Sequence, residues 1–175
     1  MSKKAVFGLA NNETQVRKIV EDLRGLGFSD NDVSVLYPDM TGGTAGLGHE
    51  KGSKAPEGAV AGVGTGGAIG VTLGWLAGIG TLAIPGVGPF IAAGPILAAL
   101  SGAAVGAAVG GLAGGLVGMG IPEYEAKLYE NKLKAGKILI SVHTEDSKER
   151  DRAHDLLKAD GAEDIGVTAE AVAKS

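Results

Sequence analysis

The chain has 175 residues, no cysteine and a formal net charge of −4. That length suits one domain, or one domain with an appendage. The missing cysteines exclude disulfides and Cys-ligated zinc or iron–sulfur sites, and the acidic balance with scattered Lys and Arg argues against a nucleic-acid surface.

The chain opens with "MSKKAVFGLANNE", whose apolar run is too short for a signal peptide, so both ends are expected in the cytoplasm. Within it "KAVFGLA" reads as a strand. "NNETQVRKIVEDLRGLG" reads as a helix with Val16, Ile19, Val20 and Leu23 on one face. Asn12 is its expected N-cap, with Gln15 at the capping-box position. Gly25 or Gly27 ends it, and "DVSVLYP" follows as a second strand. Residues 1–40 thus form a β-α-β half, and 41–57 a Gly-rich linker.

From Glu57 to Glu123 the composition changes. Residues 58–120 contain no ionisable side chain and hold 20 of the 31 glycines and 14 alanines. Glycine recurs at every fourth position at Gly58, Gly62, Gly66, Gly70, Gly74 and Gly78, and again at Gly102, Gly106, Gly110, Gly114 and Gly118. Glycine costs about 1 kcal/mol against alanine inside a helix in water. Helical spacing of so many therefore predicts close helix–helix packing in a dry environment. Two helices are expected, 58–80 and about 96–120. The first would be about 35 Å long. Between them "TLAIPGVGPFIAAGP" predicts a turn built on Pro85, Gly86, Gly88, Pro89 and Pro95. The lengths match a bilayer span. Lysines flank both ends, so the expectation is an inner-membrane hairpin with cytoplasmic termini. Burial of the same hairpin inside a soluble cytoplasmic oligomer is the alternative.

Residues 121–168 read as an additional helix, "PEYEAKLYENKLKAG", and a second β-α-β half; 169–175 are a tail. Pro122 suits the first turn of the additional helix, and its acids and lysines suit the two ends of the dipole. Tyr124 is expected to pack that helix on the sheet, whereas Tyr129 fits either packing or a membrane interface. "KILISVHT" is a strand with Ile138, Ile140 and Val142 on one face and Leu139, Ser141 and His143 on the other. "DSKERDRAHDLLKADG" is a helix with Asp146 and Glu149 as capping box, and "EDIGVTA" closes the half. Leu23, Gly27 and Asp30 correspond to Leu157, Gly161 and Asp164 at one offset. Two β-α-β units predict an α+β fold: a ferredoxin-like sandwich of four antiparallel strands with two helices on one face, split by the inserted antiparallel glycine-zipper hairpin.

No chemistry stands out. His49, His143 and His154 lack metal-ligand spacing. "GVGTGG" (62–67) lacks the preceding strand of a dinucleotide site. Ser53, Ser101 and Ser141 lack an elbow or triad setting. No catalytic, cofactor or metal residue is assigned, no cofactor is expected, and an enzyme is the least favoured class.

"HEKGSKAPEGAVAG" (49–62), "LAIPGVGPFIAAGPI" (82–96) and "MGIPEYEAKLYE" (119–130) resemble bacterial general-stress or heat-induced stress proteins with a glycine-zipper hairpin. The resemblance extends from Ala5 to about Val167. It implies a stress-linked, membrane-associated protein and no reaction. A looser similarity, to the two-helix membrane subunit of bacterial alternative-complex quinol oxidoreductases, implies a scaffold in a quinone-linked complex. The leading expectation is a non-enzymatic protein whose hairpin drives membrane insertion or self-association. A small-ligand or partner-binding module is the alternative from fold analogy. The expected associations are homo-oligomerisation, membrane lipid and an unidentified protein partner, without nucleic acid.

Overall fold

The computed structural model describes residues 4–38, 79–84, 88–96, 100 and 104–169. In chain order these form β1 (Lys4–Ala10), α1 (Glu13–Gly25), β2 (Val33–Pro38), β3 (Ile79–Ile84), β4 (Gly88–Ala93), α2 (Ala104–Gly118), α3 (Glu123–Lys134), β5 (Ile138–Thr144), α4 (Ser147–Ala159) and β6 (Glu163–Ala169). The fold is α+β. One six-stranded sheet has the order β3-β4-β2-β5-β1-β6, and every pairing is antiparallel.

The two charged halves repeat each other down to single hydrogen bonds. One constant offset carries β1 onto β5 and α1 onto α4. Asn12 caps α1 by accepting from the Gln15 N–H, and Asp146 caps α4 by accepting from the Glu149 N–H. The side chains of Gln15 and Glu149 reach back to the N–H groups of Asn11 and Glu145. At the other end the Phe28 N–H bonds the Leu23 carbonyl, and the Ala162 N–H bonds the Leu157 carbonyl. The turn residues Gly27 and Gly161 have φ of +94° and +79°, a left-handed conformation that ends helices and favours glycine. β1 and β5 pair about their centre, Phe7 opposite Ser141, so the pairing maps onto itself under the repeat. The repeat stops there. Asp30 lies in the turn before β2, whereas Asp164 lies in β6 with φ of +49°. The loop after α1 is longer than that after α4, and the second strands enter in different registers.

Strand alternation divides the core into two layers. Val6, Ala10, Ile138, Ile140 and Val142 face α1 and α4, meeting Val16, Ile19, Leu23, Ala153 and Leu157. Ala5, Phe7, Leu9 and Leu139 face the opposite way and meet Leu112 and Leu116 of α2 and Ala126, Tyr129 and Leu133 of α3. The central strands are thus covered on both faces, which is why "AVFGLA" reads as an unbroken apolar run. Each large side chain so buried contributes roughly 1.5–3 kcal/mol.

The insert departs from the expected hairpin. Gly58, Gly62, Gly66, Gly70, Gly74, Gly78 and Gly102 lie outside the described residues, as do Pro85 and Gly86. Ile79 and Gly80, read as the end of the first helix, begin β3; Gly88 and Pro89, read as turn residues, begin β4. Pro95 opens a helical turn after β4. The expected turn is therefore a β-hairpin added to the sheet, with six paired positions from Ile79–Ala93 to Ile84–Gly88. The second helix is α2, 15 residues long and interrupted at Gly111. Even unbroken it would reach about 22 Å, against a hydrocarbon core of about 30 Å. Among the described residues no helix is long and apolar enough to cross a membrane. The transmembrane-hairpin reading is corrected accordingly, and Leu112 and Leu116 of α2 are buried in the core on the sheet. Tyr124, expected to pack the helix on the sheet, is 81% exposed, while Tyr129, which by sequence fits either packing or a membrane interface, is the buried one at 1%.

Candidate functional site

The uncharged insert is the part of the chain whose placement in the fold departs most from the sequence reading. β4 fastens it to the charged frame, with Val35, Leu36, Tyr37 and Pro38 opposite Ala93, Ala92, Ile91 and Phe90. Phe90 is buried on the α2–α3 side with Ile96. Between them the chain turns at Gly94, φ +88°. A Cβ there would sit 2.3 Å from the Val33 carbonyl oxygen and 3.0 Å from the Ser34 Cα. Only glycine allows that approach. The buried Ser34 hydroxyl accepts from the Ile96 N–H at 3.1 Å and satisfies the next backbone donor.

α2 is two short helical pieces joined at Gly111, whose φ of 64° and ψ of −150° lie in a region almost restricted to glycine. The break leaves the first N–H groups of the second piece without partners inside the helix. The Glu130 carboxylate, reaching over from α3, accepts from the Ala113 N–H at 2.5 Å and is held by Lys134 at 3.0 Å. Gly106 and Gly110 precede this break and Gly114 and Gly118 follow it, so these four do not lie on one continuous ridge. Leu112 and Leu116 point into the core, while Val117 and Gly118 are exposed.

Several ionisable groups hold the frame together. Lys132 pairs with Asp164 at 2.6 Å and, more distantly, Glu163 at 3.7 Å. Glu163 also accepts from Lys137 and Asn11. The Asp164 carboxylate holds the Lys132 amine above its ordinary value, and the Lys137 ammonium holds the Glu163 carboxyl below its own. Tyr129 donates its hydroxyl to the Asp164 carbonyl at 2.7 Å. Burial, with Glu125 and Asp164 nearby, pushes its pKa up, so it remains neutral.

The two repeats also brace each other. Lys18 of α1 bonds the Asp160 carboxylate at the end of α4, and Gln15 donates to the Asp160 carbonyl at 2.9 Å. At the equivalent place, Arg152 of α4 donates to the Leu26 carbonyl at the end of α1 and lies 5.8 Å from the Phe28 ring centroid. Cations placed at helix C-termini are favourable.

His143 lies in β5 and donates its backbone N–H to the Asp32 carbonyl at 2.7 Å; His154 lies on α4, and His49 is outside the described residues. Among the described residues no group of three or more His, Cys, Asp or Glu side chains could hold a metal ion. Sequence reasoning missed the β3–β4 addition and the second layer on the sheet. The signals were present: "IGTLAI" and "GPFIAA" are two short apolar runs about a Pro-Gly turn, and Ala126, Tyr129 and Leu133 form one face of α3. No family model, no curated protein and no solved structure matches the chain.

Proposed function

We propose that this chain is a non-enzymatic structural protein that self-associates through its uncharged insert, with the charged halves acting as a ferredoxin-like frame. What supports the frame is the strand order β2-β5-β1-β6 of the two β-α-β units, with α1 and α4 on one face. The observation that carries the self-association is where the insert ends up. The two strands of the insert do not lie in the middle of the sheet; they form one end of it, with β3 outermost among the described residues. Charges are depleted at the centre of protein–protein interfaces, and this end of the sheet has that composition by construction.

The stress-linked part of the reading rests on the family resemblance alone. A ligand module using the sheet face is disfavoured because Val6, Phe7, Leu139 and Ile140 are at most 1% exposed, on both faces of the central strands. No observation favours a quinone-linked scaffold. Light scattering on the full chain through a dilution series tests the proposal. A mass that rises above the monomer with concentration is expected, and a monomer throughout contradicts it.

A further inference from the structure

We infer that the outer edge of β3 pairs antiparallel with β3 of a second copy across a two-fold axis, joining two six-stranded sheets into one. This rests on the self-association reading and names its seam.

Every edge strand presents a row of backbone N–H and C=O groups that can template another strand, and proteins guard such edges with charge, proline, bulges or cover. The two edges of this sheet differ in that respect. β6 carries Glu163 and Asp164, contains the positive-φ residue Asp164 and shifts register against β1 between Phe7 and Leu9. β3, "IGTLAI", has no charged residue and no proline. Its register with β4 runs unbroken over all six positions. Among the described residues no strand pairs with its outer side.

A second copy is the occupant that fits. Antiparallel pairing about a two-fold is self-complementary, so the same donors and acceptors serve both partners. A strand meeting itself places each side chain near its own counterpart, and like charges there would repel. β3 has none, and the nearest ionisable residues along the chain are Glu57 and Glu123. The seam would use the outer backbone edge of β3 and leave the pairing of the β2-β5-β1-β6 frame as it is.

The native chain has no cysteine, so a single introduced thiol reports position. Thr81→Cys on β3 and Val167→Cys on β6, the latter residue 43% exposed, are treated in the full chain with a short bifunctional thiol reagent. Covalent dimer is expected from Thr81→Cys and none above background from Val167→Cys. Thr81→Lys is expected to weaken dimerisation at least tenfold and to remove the concentration dependence of the thermal melt. A dimer that persists while Thr81→Cys fails to cross-link, or cross-links no better than Val167→Cys, overturns the β3 seam and leaves self-association standing. An unmodified chain that is monomeric at every concentration overturns both.

Discussion

Glycine does two different jobs here, and substitution separates them. At Gly94 the left-handed φ and the 2.3 Å approach to the Val33 oxygen act together. Gly94→Ala is expected to cost well over the roughly 1–2 kcal/mol of left-handed strain alone, read as lost stability in urea. Gly27 has a similar φ and nothing within 4 Å of a Cβ, so Gly27→Ala is expected to cost only that strain. Equal costs at the two sites would contradict the close approach. The ion pairs set the pH limits. Asp22, Asp146 and Glu163 are held below their ordinary values by Lys18, by the Glu149 N–H and by Lys137 respectively. Their contribution is full above an unfolded pKa of about 4 and is lost as pH falls through the lower folded values. Lys18 and Lys132 are held above theirs, so their contribution is full below about 10 and fades as pH rises through the folded values. Thermal melts are expected to form a plateau between these limits; a steady slope across neutral pH would contradict this.

At the scale of elements, the paired caps give a controlled comparison. Asn12→Ala is expected to cost about 1 kcal/mol at any pH, because the amide does not titrate. Asp146→Ala, at the equivalent place on α4, is expected to lose its effect in acid as the carboxyl protonates. Denaturant melts at neutral and low pH read both, and a pH-dependent Asn12 variant would contradict the assignment. Glu130→Ala uncaps the second piece of α2 and is expected to cost about 1 kcal/mol; no loss would mean that solvent satisfies the Ala113 N–H equally well. Both β-α-β halves were legible in the sequence because apolar period, cap and terminal glycine agreed in each. The insert was not. An every-fourth glycine pattern carries no side-chain face, so it does not distinguish one long helix from two pieces broken at Gly111. Pro-Gly runs mark a turn without saying whether helices or strands flank it. Tyr124 and Tyr129 sit five residues apart on a helix whose buried face, Ala126, Tyr129 and Leu133, excludes Tyr124, a phase that could have been read beforehand.

At the scale of the whole molecule, the chain is asymmetric in a way its duplicated halves are not. The repeat builds a pseudo-two-fold frame. The insert then lengthens the sheet at one end and, together with α3, covers the second face, and its strands β3 and β4 carry no charged residue. Among the described residues no strand pairs with the outer side of β3, and the inferred two-fold pairing would leave β6, with Glu163 and Asp164, as the remaining edge. The most direct test is the native mass of the unmodified full chain, whose monomer is 17.4 kDa. A species of twice that mass, dissociating on dilution, is the expected result, and a lone 17.4 kDa species at every concentration would contradict it.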